Sequence, residues 1–159
     1  MKHLLLSLAA ASALALVGCN ADHPGAPTPV GVRAIRSATS FGFCAGYCRS
    51  ALEITSERAT YRLFDDRTQQ PELVRSAAIS AAEWHELETA VRRQPLEALP
   101  AVIGCPDCAD GGAESLEVVA QDWSHSVTFN RGVAIQELQP LLDRVRAIRD
   151  RLDSELRPR

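Results

Sequence analysis

"SALEITSERATYRLFD", residues 50–65, alternates apolar and polar side chains on both sides of a polar break near Glu57-Arg58. A period of two sends successive side chains to opposite faces, so the stretch predicts two half-buried strands joined by a short turn, with Leu52 and Ile54 facing inward. Working outward, "VRAIRSATSF" (32–41) repeats the alternation with Val32 inward and predicts a preceding strand. "LVRSAAI" (73–79) reads as a fourth strand. Ser80-Ala81-Ala82-Glu83 is a capping box, in which the serine oxygen and the glutamate carboxylate each satisfy a backbone donor at a helix start. The helix is expected to run to Gln94, with Trp84, Leu87 and Val91 as its core stripe, Arg92 and Arg93 in its last turn, and Pro95 ending it.

Further on, "ESLEVVAQDW" (114–123) and "HSVTFNR" (125–131) predict a hairpin with Leu116 and Val118 matched to Val127 and Phe129. "ELQPLLDRVRAIRDRLDSEL" (137–156) spaces Leu138, Leu141, Leu142, Val145, Ile148 and Leu152 three and four apart. That spacing is an amphipathic helix, and Pro140 is tolerated in its first turn. The order of elements predicts an α+β domain, an antiparallel sheet of about five to six strands with two helices packed on one face and the other face wetter.

The chain opens "MKHLLLSLAAASALALVGCN" (1–20), with Lys2 followed by an apolar run from Leu4 to Val17. That run is short of the roughly 20 residues a membrane span needs and has the form of a cleaved export signal. Its end, Leu16-Val17-Gly18-Cys19, resembles the lipobox of bacterial lipoproteins. The resemblance implies an acylated Cys19 as the mature N-terminus, with the lipid bilayer as partner; Asn20, where members retained at the inner membrane carry aspartate, favours the outer membrane. The expected layout is a signal peptide over 1–18, lipidated cysteine and Pro-rich tether over 19–31, and one α+β domain over 32–157. Lys2 is the only lysine, so the exported chain has sixteen arginines against twenty acidic residues. This balance offers no general attraction for nucleic acid.

Four cysteines remain, Cys44 and Cys48 in one loop and Cys105 and Cys108 in another. Spacing alone is compatible with a zinc site of four thiolates, a C-x-x-C redox pair, or two disulfides. An oxidising compartment favours disulfides. Asp107 and Asp110 further oppose a thiolate at Cys105 or Cys108 by like charge. Of the three possible pairings, the local one, Cys44 with Cys48 and Cys105 with Cys108, is preferred over crossed pairs, and it places Phe43 and Tyr47 in packing near the first turn.

"SFGFCAGYC" (40–48), "ISAAEWHELETAV" (79–91) and "LEALPAVIGCPDCADGGAE" (96–114) together resemble a group of uncharacterised bacterial lipoproteins that carry a domain of unknown function opening with C-x3-C. Related domains have proline after the second cysteine of the first motif, where Arg49 stands here. The resemblance implies an exported, anchored domain and carries no activity with it.

Asp107, Asp110 and Glu114 bring three carboxylates into one glycine-bearing loop, a spacing open to calcium but also to a solvated turn. His85 and His125 have no second ligand at metal spacing, and Ser124 and Ser126 lack a nucleophile-elbow context. No phosphate loop or cofactor motif occurs. Arg144, Arg146, Arg149 and Arg151, interleaved with Asp143, Asp150, Asp153 and Glu155, read as a mixed solvated helix face. The expectation is a non-enzymatic envelope domain that binds a protein or a small ligand.

Overall fold

The computed structural model describes residues 31–65 and 71–156; the predicted signal, Cys19 and the tether before Gly31 lie outside them. Seven strands form one sheet: β1 (Val32–Ser40), β2 (Tyr47–Ile54), β3 (Arg58–Asp65), β4 (Pro71–Ala78), β5 (Val102–Ile103), β6 (Ala113–Ala120) and β7 (Ser124–Asn130). Their spatial order is β4-β3-β2-β1-β6-β7-β5, antiparallel throughout except for β5, which runs parallel to β7. The break between β2 and β3 is local chemistry: the Glu57 and Arg58 amides donate to Thr55 Oγ1, and the Thr55 amide donates to the Arg58 carbonyl at 2.9 Å. A side-chain oxygen thus replaces strand partners where the chain reverses.

Period-two patterning sorts the strands into two faces. Ile35, Leu52, Ile54, Tyr61, Leu63, Leu116, Val118, Val127 and Phe129 are buried on one face. Helices cover that face: α1 (Ala81–Ala90), α2 (Arg93–Glu97) and α3 (Gln139–Leu156). The predicted stripe of α3 is buried throughout, with Leu142, Val145 and Leu152 fully enclosed. Each such side chain contributes about 1.5–3 kcal/mol over leaving it in water. Among the described residues no helix is long and apolar enough to cross a membrane.

The capping box at Ser80 and Glu83 forms as the sequence dictates, with the Glu83 amide donating to Ser80 Oγ and the Ser80 amide to the Glu83 carboxylate. The helix it opens ends at Ala90 rather than Gln94, so Arg92 and Arg93 are not in its last turn. Pro95 is the cause, because it has no amide to donate back along a continuing helix; it sits instead in the first turn of α2, where that amide has no partner to lose. β5, only two residues long, carries no period from which it could be read. In the β6–β7 hairpin Leu116 faces Val127, but Val118 faces His125, and Phe129 faces Glu114.

Candidate functional site

Because the helices occupy one face, the opposite face of the sheet stays open. Its side chains follow from the register: Arg36, Ala38 and Ser40 on β1 lie beside Glu53, Ala51 and Arg49 on β2 and beside Glu117, Ser115 and Ala113 on β6. β3 adds Thr60, Arg62 and Phe64, and β7 adds Ser126 and Thr128. Large side chains stand at the margins and small ones in the middle, which leaves two adjoining hollows.

The first hollow, of about 310 Å³, is bounded by Ala38, Ser40, Arg49, Ala51, Phe64, Ala113, Ser115 and Thr128. The second, of about 290 Å³, shares Ala38, Ala51 and Ser115 with it and continues to Arg36, Glu53, Arg62, Glu117 and Ser126. Charge differs between them. In the second, Arg36 donates to Glu53 at 2.9 Å and to Glu117 at 3.3 Å, and these two bonds hold its pKa above the ordinary arginine value. In the first, Arg49 is the one charged residue among the described residues; its guanidinium lies 5.7 Å from the Phe64 ring centre, and its Nη2 is shielded from water with no hydrogen-bond partner among them.

A rim of disulfide loops stands at the Arg49 end. Cys44 is bonded to Cys48 and Cys105 to Cys108, with Cα separations of 5.6 and 5.5 Å, so the pairs are local and the crossed alternative is not formed. The two loops nevertheless meet. Ser40 at the end of β1 is opposite Ala113 at the start of β6, the Gly42 amide donates to Asp107 Oδ1 at 3.1 Å, and the Arg131 guanidinium lies 4.4 Å from the Phe41 ring centre. Asn130 clamps the second loop from β7: Cys105 N–H donates to its Oδ1 and its Nδ2 donates to the Cys105 carbonyl.

Gly112 makes the junction possible. Its φ of +81° is open to glycine, and a Cβ there would lie 2.7 Å from the Ser40 carbonyl oxygen. Asp107, Ala109 and Asp110 also hold positive φ, a cost on the order of 1 kcal/mol each that the cross-linked loop sustains. No α-helix starts at the C-x-x-C pair, which is followed by a single 3-10 turn over Cys108–Asp110. Phe43 does not pack near the turn as expected but is 89% exposed, because the bonded Cys44 and Cys48 hold the loop tip outward; Tyr47 does pack against the core.

The three carboxylates of this loop separate. Asp107 and Asp110 remain at the surface, while Glu114, one strand position inside, turns to the helix face and is 1% exposed. There Arg146 Nη2 donates to Oε2 at 2.7 Å, Arg149 Nη1 donates to Oε1 at 3.0 Å, and the Gly132 amide approaches Oε2. Burial pushes the Glu114 carboxyl up, but the hydrogen bond and charge of Arg146, with the charge of Arg149, outweigh it and hold the group below its ordinary range. Among the described residues no cluster of histidine, cysteine and carboxylates could hold a metal ion.

This corrects the reading of α3 as a solvated charged face. Arg146 and Arg149 are only 18% and 14% exposed, and they bind Glu114 from 32 and 35 residues away in sequence. Arg144 pairs with Glu86 and Arg151 with Glu83, both on α1, and Arg75 on β4 pairs with Glu155. The tertiary partners displace the helical ones that spacing suggested. His85 is exposed on α1, His125 faces Val118 across the hairpin, and Ser124 and Ser126 lie on the open face, Ser126 at the edge of the second hollow.

Sequence patterning missed Arg49, Phe64 and Asn130 as site residues. A signal was present: Ala38, Ala51, Ala113 and Ser115 put small side chains at outward strand positions, where long or β-branched residues are usual. Comparison with known protein families and with curated proteins returns no match.

Proposed function

We propose that this chain is a lipid-anchored binding domain of a bacterial cell envelope, held by acylated Cys19 at the outer membrane, and that it takes a small ligand on the open face of its sheet. One observation carries the binding assignment: a sheet insulated by helices on one side carries, on the other, adjoining hollows with a floor of small side chains and an arginine that has no ion pair among the described residues. Ligand sites are concave, largely apolar and furnished with a few converging polar groups, and this face has that composition. The redox and metal alternatives have less support. Closure of both cysteine pairs leaves no set of four thiolates for a metal, and no α-helix starts at the Cys105–Cys108 pair, as thiol oxidoreductases have.

Anchor and binding face are tested separately. In a bacterial host the wild-type chain sediments with membranes and Cys19→Ser does not; equal partitioning of the two removes the anchor. For binding, the isotope-labelled exported domain is titrated with the low-molecular-weight fraction of envelope extract. Amide shifts are expected at Ala38, Ser115 and Thr128, and shifts confined to α1 and α3 would move the site to the helix face.

A further inference from the structure

Resting on the open face as the binding face, we infer that its ligand is a small organic carboxylate and that Arg49 receives the carboxylate group. A guanidinium is always charged and carries five donors, and those of Arg49 that are not enclosed with Nη2 are open to an acceptor supplied by another molecule. Arg33, Arg58 and Arg92 are exposed to water, and Arg36 has two glutamates. Arg62 and Arg49 are half-buried, and Arg49 differs in that its Nη2 is enclosed with no acceptor and its hollow is lined by no carboxylate among the described residues. The polar groups beside it, Ser40, Ser115 and Thr128, are hydroxyls, which can donate to an anion as readily as they accept.

Geometry also selects the kind of anion. The Phe64 ring centre lies 5.7 Å from the guanidinium, whose planar fork suits the two-oxygen edge of a carboxylate. A single cation matches one negative charge better than a phosphate dianion. The floor of Ala38, Ala51 and Ala113 with the Phe64 wall then receives an apolar body, and a volume of about 310 Å³ is at the lower end for small-ligand clefts. Beyond Ala38 and Ser115 the hollow continues toward Arg62 and toward Arg36, Glu53 and Glu117, which pair with one another, so an extension of the ligand there is polar.

Benzoate and hexanoate, with benzamide and hexanamide as uncharged isosteres, are the probes for the exported, disulfide-bonded domain, read by amide shifts and by the Arg49 side-chain N–H resonance. Each carboxylate is expected to bind about ten-fold or more tightly than its amide. In Arg49→Gln that preference disappears, while Ser115→Phe, which fills the hollow and leaves Arg49 in place, abolishes binding of both. Should Arg49→Gln fail to fold, Ser115→Phe and the carboxylate-to-amide ratio on the wild type still decide. Equal affinity for acid and amide at the open face overturns the carboxylate assignment while leaving the binding face intact. Absence of shifts from any probe overturns the carboxylate assignment too, and the binding face also falls if the envelope fraction gives no shifts there.

Discussion

On the helix-covered side of the sheet, Glu114 is enclosed with Arg146 and Arg149, each of its oxygens answered by a guanidinium; one register step away on the open side, Arg49 faces a hollow that no carboxylate among the described residues lines. The strand ends are the same, yet at this end one face pairs its charge and the other holds Arg49 without an ion pair among the described residues. A buried carboxylate without partners would unfold the domain, so the core side must complete its own ion cluster. No such demand acts on a half-open face. There an unpaired cation costs less and remains available to a molecule from outside.

The comparison breaks most severely at Glu114. Glu114→Gln leaves Arg146 and Arg149 short of a counter-charge and is expected to cost about 3–5 kcal/mol, measured by urea unfolding at neutral pH. The same group sets an acid limit. Its folded pKa is below the ordinary 4.5, so its stabilisation is present above the unfolded value and is lost as pH falls through the folded one. Unfolding midpoints followed from pH 7 down to about pH 2 fall steeply for the wild type, and Glu114→Gln flattens this acid limb. An unchanged slope in the variant would remove Glu114 as the source.

Gly112, at the boundary between the two regions, comes next. Gly112→Ala must hold a positive φ and press a methyl against the Ser40 carbonyl, a loss of about 2 kcal/mol by thermal or urea unfolding. The loop junction moves with it, visible as altered amide shifts at Gly42 and Asp107. Arg36→Gln is the mild control on the open face. Its pairs with Glu53 and Glu117 are about half exposed, and their loss changes stability by less than about 1 kcal/mol. A cost equal to that of Glu114→Gln would erase the distinction between the faces.

Much of the fold is legible in the chain. The alternation of residues 50–65 sets both strands and the turn, the capping box sets the start of α1, and the leucine spacing of residues 138–152 sets the buried stripe of α3. The local disulfides also agree with the sequence expectation. What was not legible depends on distant partners. Arg146 has Asp143 and Asp150 nearby along its helix, so spacing gave it a solvated role that Glu114 overrules from 32 residues away.

By itself, then, the sequence determined which residues alternate, where helices begin and which cysteines are close enough to bond, because these depend on backbone geometry over a few residues. Only the tertiary structure decided that β1 lies between β2 and β6, that two loops 56 residues apart form one rim, and that Arg49 stands at a hollow lined by small side chains. Strand order and long-range pairing come from closing the whole sheet around one core, and local periodicity carries no record of which strand will be a neighbour.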